Sequence, residues 1–373
     1  NPNFAHAYNN LGTTLVDLGR HDEAIENYKK AIDLNANFAE SYNNLGNVFK
    51  ERKNLNDAII CYKDALAINP NFAQALYNLG SCYKKNNQKE KALTFFERAW
   101  TLKPDMDFIL GDLLATLMGF CFWDDYHDLL NQTKLKILNN EKVIHPFNLL
   151  GLIDDPYIQQ KATKIFADHH YPENSNIPKI EPYNNHPKIR IGYFSADFHN
   201  HATMHLMAEL FEYHDKSCFE FIAFSFGPDQ NDKWRQRAIN SFDQFIDVRL
   251  KSDHEVALMS RAMEIDIAID LKGYTRGCRP NIFALKCAPI QVNYLGFPGT
   301  MGSEYIDYLI ADKVLIPMKN QPYYSEKIAY MPHSYQSNVS ERKVSKALPT
   351  RQELGLKDKD FVSRNRARHL VDV

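Results

Sequence analysis

The feature that most constrains this chain is a repeat of 34 residues. Asn1-Pro2-Asn3-Phe4-Ala5 returns as Asn35-Ala36-Asn37-Phe38-Ala39 and as Asn69-Pro70-Asn71-Phe72-Ala73, and Lys103-Pro104-Asp105 opens a fourth, weaker unit. A unit of that length cannot bury a core alone and must stack on its neighbours. Small residues keep register inside each unit. Gly12, Gly46 and Gly80 fall in a first helical segment, with Ala24, Ala58, Ala92 and Ala31, Ala65, Ala99 in a second, where two helices have to approach closely. Tyr28, Tyr62 and Phe96 recur as the large residue of the second helix, and the Asn and Pro residues at unit boundaries supply turns and helix starts.

This is the tetratricopeptide pattern, and residues 1–102 are expected to form an α-solenoid of three helix pairs whose extended face holds another polypeptide. Asn10, Asn44 and Asn78, each directly before Leu-Gly, predict a ladder of side-chain amides along one face. An amide both donates to and accepts from a peptide backbone whatever its sequence. The alternative is that these residues cap or bridge neighbouring helices.

From about 106 the repeat dissolves into less regular helices, expected over 106–120, 123–138 and 156–169, and the Pro- and Asn-rich stretch 173–188 reads as a linker. Residues 103–187 are thus a helical junction. Beyond Lys188, β-rich runs alternate with helical stretches. Strands are expected over 189–195, 219–226, 245–248, 265–271, 291–295 and 308–311, and helices over 203–213, 233–242 and 255–263. Such alternation predicts a parallel sheet covered on both faces, an α/β Rossmann-like lobe over 188–349. Ligands bind such sheets at the carboxyl ends of the strands. That directs attention to the loop Ser195–His205, whose His199, His201 and His205 invite a metal reading, but no further ligands stand at suitable spacing. By residue content the loop reads either as a surface turn with one buried histidine or as a loop at a helix N-terminus, where free backbone N–H groups and neutral imidazoles contact phosphate or sugar oxygens.

Composition excludes other classes. Lys and Arg total 44 against 46 Asp and Glu, a net charge of -2 that offers no basic field for nucleic acid or anionic membrane. The six cysteines, at 61, 82, 121, 218, 278 and 287, form no C-x-x-C pair and fit a reducing, cytoplasmic setting. No run approaches the roughly 18 apolar residues of a membrane span.

Specific motifs carry a resemblance. Ile191-Gly192-Tyr193-Phe194-Ser195-Ala196-Asp197-Phe198 with His201, Thr203 and His205-Leu206-Met207 resembles the opening of the catalytic region of protein O-GlcNAc transferases. Asp270-Leu271-Lys272-Gly273-Tyr274-Thr275-Arg276-Gly277 is similar to that family's Gly-Tyr-Thr turn, and Leu295-Gly296-Phe297-Pro298-Gly299-Thr300 to its Pro-Gly-Thr loop. Ala288-Pro289-Ile290-Gln291, Tyr324-Ser325-Glu326-Lys327 and Tyr330-Met331-Pro332-His333 follow in order, and His145-Pro146-Phe147 with Asp154-Asp155-Pro156 matches the junction of the bacterial branch.

The resemblance implies a GT-B-like enzyme of two Rossmann-like lobes that moves GlcNAc from UDP-GlcNAc to Ser or Thr of proteins held by the repeats, inverting, with no metal and no cofactor beyond the nucleotide sugar as co-substrate. It implies His201 near acceptor and sugar, and Asp197 as a carboxylate handling the proton. Thr203, Leu295, Gly296 and Pro298 line the sugar pocket with Tyr274 beside them, and Asn10, Asn44 and Asn78 grip extended acceptor. The related Spindly type, with a fucosyl donor, and a binding scaffold without chemistry are the alternatives. Phe147 stands where animal members carry a second histidine. Residues 350–373 start as the lead into a second lobe, but Ser363-Arg364-Asn365-Arg366-Ala367-Arg368-His369 is too charged for a buried strand, which predicts a truncated lobe and an inactive fragment.

Overall fold

The computed structural model describes residues 2–173, 178–180, 183, 186–340 and 349–356, leaving the tail at 363–373 outside the described residues. The repeats are three helix pairs: α1 (Pro2–Asp17) with α2 (His21–Leu34), α3 (Ala39–Glu51) with α4 (Leu55–Ile68), and α5 (Ala73–Lys85) with α6 (Lys89–Leu102). The glycines explain the pairing. A Cβ on Gly12, Gly46 or Gly80 would lie within 2.7–2.9 Å of the ring of Tyr28, Tyr62 or Phe96 respectively, so each large ring of a second helix seats on the bare backbone of the first. The alanines at 24, 58, 92 and 31, 65, 99 are fully buried. Between units, the Asn35 and Asn69 side chains accept the N–H of Asn37 and Asn71 at 3.1 and 3.2 Å, short turns that compete with helix continuation.

Four helices make the junction: α7 (Ile109–Gly119), α8 (Tyr126–Leu138), α9 (Pro146–Leu150) and α10 (Pro156–His170). α7 stacks on the last repeat, and its Gly111 lies against the Val143 carbonyl, where a Cβ would come to 2.5 Å. Asp155 caps α10 by accepting the N–H groups of Tyr157 and Ile158. The helix buries Phe166 and Ala167 in the core of the following lobe.

That lobe reads β1 (Ile189–Ser195), α11 (Ala202–Glu212), β2 (Phe219–Ser225), α12 (Lys233–Ser241), β3 (Gln244–Asp247), α13 (Asp253–Ala262), β4 (Ile267–Asp270), α14 (Asn281–Ala284), β5 (Ile290–Tyr294), β6 (Tyr308–Ala311) and β7 (Lys327–Tyr330). The sheet is parallel throughout, in the order β3-β2-β1-β4-β5-β6-β7. Alternate residues feed two cores. Phe194, Ile222 and Phe224 pack on the α13 side, whereas Tyr193, Phe221 and Ala223 pack on α11 and α12. Short α9, α14 and β7 are additional to the elements expected from the sequence. After β7 the chain turns back across the sheet, held where Asp312 accepts the N–H of Tyr335 and where Ser340 meets Glu209 of α11.

Two predictions follow from this packing. The ring of Tyr62 is fully buried and its hydroxyl donates to Asn47 at 2.8 Å, so it has no room to retreat from a new methyl group. G46A is expected to lower stability by about 1–3 kcal/mol in urea denaturation. Asp270, which ends β4, is completely buried, and burial raises its carboxyl to about 6, partly offset by N–H donors from Lys272 and Gly273. Unfolding returns it to the ordinary 3.8, so its ionisation disfavours the folded state progressively from about pH 4 to 6 and fully above. D270N keeps the acceptor oxygen and removes that charge. Its stability relative to wild type should grow across this window, by up to about 3 kcal/mol, and a pH-independent difference would refute the assignment.

Candidate active site

The sheet order reverses between β1 and β4. From β1 the chain proceeds outward to β2 and β3, and from β4 to β5, β6 and β7, so the loops that leave the neighbouring carboxyl ends diverge and open a crevice. A cavity of about 1020 Å³ lies there, lined by Asp197, His199 and His201 from the β1–α11 loop, by Thr203 and Leu206 from the first turns of α11, by Lys272, Thr275 and Arg276 after β4, and by Leu295 and Gly296 after β5. Phe147 of the junction and Tyr335 with Gln336 of the returning chain complete its rim.

Two glycines set the walls. A Cβ on Gly296 would stand 2.2 Å from the Leu271 carbonyl, and one on Gly227 would stand 1.7 Å from that of Ala196. Loop backbone therefore touches loop backbone at both places, which only glycine permits. Before Gly296, Leu295 adopts φ 69°, a left-handed conformation unfavourable for a branched side chain and typical of a residue held for function.

The polar centre is Asp197. It is 6% exposed, and its Oδ2 receives Lys272 Nζ at 2.5 Å and Thr203 Oγ1 at 3.4 Å. His201 Nδ1 lies 3.5 Å from the same oxygen. His201 is the N-cap of α11, its Nδ1 accepting the Thr203 N–H at 3.2 Å. Burial lowers the imidazole pKa; Asp197 opposes that shift and Lys272 reinforces it. The other two histidines of the loop take separate tasks: His205 Nε2 pairs with Asn200 at 2.9 Å and its ring packs on Trp234, while His199 lies on the cavity wall.

Of the expected residues, Asp197, His201, Thr203, Leu295 and Gly296 meet on this one cavity. Tyr274 does not. It is 0% exposed, its hydroxyl donates to the Met301 carbonyl at 2.8 Å, and its ring packs among Phe166, Tyr171 and Phe297, so it supports the floor from inside the core. Pro298 is half-buried and is absent from the cavity lining.

The asparagine ladder also differs from a row of free amides. Asn44 Nδ2 donates to Asn9 Oδ1 at 3.1 Å, and Asn78 Nδ2 to Asn43 Oδ1 at 3.0 Å, while Lys50 donates to Asn78 Oδ1 at 2.9 Å. Asn78 is 2% exposed with both ends engaged, whereas Asn10 is exposed and Asn44 half-buried. The side chains bridge successive repeats. One period further, Asp112 takes the same place and accepts from Tyr77 and Lys84, both at 2.9 Å.

Lys272 was not singled out from the sequence. The strand register, Phe194 opposite Asp270, brings the tops of β1 and β4 together and hence Lys272 onto Asp197. Only the order of strands in space reveals that, although a lysine two residues past a buried strand is itself a signal.

Among the described residues, no helix is long and apolar enough to cross a membrane, and no group of three or more His, Cys, Asp or Glu is placed to hold a metal.

A probable UDP-N-acetylglucosamine–peptide N-acetylglucosaminyltransferase of Arabidopsis thaliana is 32% identical over 271 residues, covering 67% of this chain and 28% of the relative. A UDP-N-acetylglucosamine–peptide N-acetylglucosaminyltransferase of Caenorhabditis elegans is 38% identical over 152 residues, 40% of this chain and 13% of the relative. The chain thus spans less than a third of the length of these relatives. A solved structure of a Thermobaculum terrenum O-GlcNAc transferase point mutant covers 89% of this chain and 58% of its own, with TM-score 0.53 and 23% identity, and shares the fold. Repeat profiles match residues 12–52, 46–87 and 73–106. The glycosyl transferase family 41 profile matches residues 163–365, more than half of the chain and the whole of the cavity-bearing sheet, and the chain belongs to that family.

Proposed function

We propose that this chain carries the acceptor-holding repeats and the first catalytic lobe of a protein O-linked N-acetylglucosaminyltransferase, with UDP-GlcNAc as donor and Ser or Thr of a bound protein as acceptor. The observation that carries the proposal is the Asp197–Lys272–His201–Thr203 cluster at the reversal point of a parallel sheet, beneath a cavity of about 1020 Å³. Solenoid repeats in the same chain supply a surface for a polypeptide acceptor. The two relatives described above bear the name of this activity.

Transfer requires the bond between the sugar anomeric carbon and the donor phosphate oxygen to break while a hydroxyl oxygen attacks from the opposite face. The hydroxyl proton must go to a base and the nucleotide diphosphate leaves as an anion. Asp197 is the carboxylate available in the cavity for that proton, directly or through water; Oδ2 is occupied by Lys272 and Thr203, which leaves Oδ1 for the task. Leu295 and Gly296 present backbone and an apolar surface to the sugar from the facing wall. His201 itself caps the N-terminus of α11, where N–H dipoles favour negative charge. The nucleotide sugar serves as a co-substrate rather than a resident cofactor in this scheme.

The test is transfer of labelled GlcNAc from UDP-GlcNAc to a Ser/Thr peptide by this chain fused to the second lobe of a two-lobed relative, alongside calorimetric titration of the 373-residue chain with UDP-GlcNAc and GDP-fucose. Transfer from UDP-GlcNAc is expected, reduced about 10²-fold or more in H201A. Transfer from GDP-fucose alone would assign a fucosyl donor, and absence of any transfer by the fusion would leave a binding scaffold.

A further inference from the structure

Lys272 has no partner in the scheme above except Asp197. It is 3% exposed, and an ammonium withdrawn from water that far is tolerated only when paired. Its Nζ approaches one side of Asp197 Oδ2 at 2.5 Å, and His201 Nδ1 stands at 3.5 Å from the same oxygen. One carboxylate oxygen thus faces a fixed cation and an ionisable ring.

The state of that ring follows from its two contacts with Thr203, of which the hydroxyl Oγ1, 3.1 Å from Nδ1, can donate or accept and so leaves the choice to the backbone. Nδ1 accepts the backbone N–H of Thr203 at 3.2 Å, and a backbone N–H can only donate. Nδ1 therefore holds its lone pair, and the neutral ring carries its proton on Nε2. No described residue accepts from Nε2, and the ring lines the cavity. A bare carboxylate 3.5 Å from Nδ1 would favour the imidazolium, whose Nδ1–H cannot cap α11. Lys272 offsets part of that pull, in the same direction as the ring's burial.

We propose that Lys272 is a positioning residue: by pairing with Asp197 it keeps His201 neutral, so that Nδ1 caps α11 and Nε2–H is presented to the cavity as a hydrogen-bond donor for a ligand oxygen. The remaining groups around the ring are the imidazoles of His199 and His205 in the same loop, Asp232 at the start of α12, which accepts the Asn200 N–H at 2.8 Å, and the exposed Arg276 on the cavity wall. Asp232 is already committed to Asn200 and to the cap of α12, and the two imidazoles oppose a charge on His201. Burial holds the ring neutral first, and the Lys272–Asp197 pair limits the one contact that opposes it. This deepens the site proposed above, yet its test reads a proton and not sugar transfer, so either can fail without the other.

The experiment is a pH titration of the 373-residue chain labelled with ¹⁵N-histidine, with the His201 signals assigned by their loss in H201Q. In wild type the neutral ring should show the proton on Nε2. K272M should raise the His201 midpoint by about one pH unit or more, and K272R, which keeps the charge, should leave it near the wild-type value. An Nδ1–H tautomer in wild type, an unmoved midpoint in K272M, or a rise in K272R equal to that in K272M would each overturn the proposal. If K272M fails to fold around an unpaired carboxylate, the double variant D197N/K272M decides. A midpoint near wild type supports mutual cancellation of the two charges; a fall of about one unit shows that Asp197 acts on His201 uncompensated and overturns it.

Discussion

The parallel pairing of β1 with β4 is the contact on which the site depends. Its register, Phe194 opposite Asp270, sets the chain beyond each strand side by side, so Ala196-Asp197 and Leu271-Lys272 leave the sheet as neighbours. Everything above that level is loop, and loops hold position only when something fixes their backbone. Here the fixing is steric. Gly227 lies on the Ala196 carbonyl and Gly296 on the Leu271 carbonyl, so the chains after β2 and β5 brace those after β1 and β4. Leu295 is carried into its left-handed conformation by that close approach, and the cavity wall it forms is a consequence of the sheet order rather than of loop sequence alone.

A similar economy of contact builds the solenoid. Each repeat closes through an aromatic ring on a glycine, and successive repeats join through polar side chains displaced by one period and one residue, Asn9 to Asn44, Asn43 to Asn78 and Tyr77 to Asp112. Buried amides left unpaired would destabilise the stack, so their bridging stabilises it. A polypeptide that took hydrogen bonds from Asn44 or Asn78 would have to replace bonds already made between repeats, whereas exposed Asn10 is engaged only through its Oδ1, which accepts from the adjacent Asn9 at 3.5 Å. The fourth place, Asp112, is a carboxylate already met by Lys84, which makes this end of the ladder a charge pair instead of an amide.

Much of this was legible in the sequence because the signals were periodic or local. The 34-residue register located all six repeat helices, and strands such as 189–195 and 308–311 emerged at their observed limits since their runs are apolar on both faces. Asp197, His201 and Thr203 could be read together because they lie within seven consecutive residues that lead from β1 into α11. What escaped was set by contacts distant in sequence. Tyr274 belongs to a motif whose neighbours reach the cavity, yet its own direction is decided by Phe166, Tyr171 and Met301, and nothing in the motif encodes that. Lys272 was visible as a residue but not as a partner, since the adjacency of β1 and β4 skips two intervening strands. Asn78 reads like Asn10 in sequence, and only its place inside the stack, with repeats on both sides, separates a bridging amide from an exposed one.

The junction makes the cavity a joint product of both parts of the chain. α10 inserts Phe166 into the lobe core, edge-on to Tyr274 at 5.2 Å, and Gly302 of the lobe sits against the backbone of Lys164, where a Cβ would come within 2.8 Å. On its other side Phe166 meets His145 at 4.7 Å and Phe108 at 5.8 Å, the residues that cap α9 and precede α7. A continuous set of packed rings therefore runs from the solenoid end to the sheet. Phe147, one residue into α9 from its Pro146 start, is held by the His145 cap and reaches the cavity rim. Close-packed rings thus tie α7, α9 and α10 to the lobe core, and Phe147 enters the cavity rim from that packed junction.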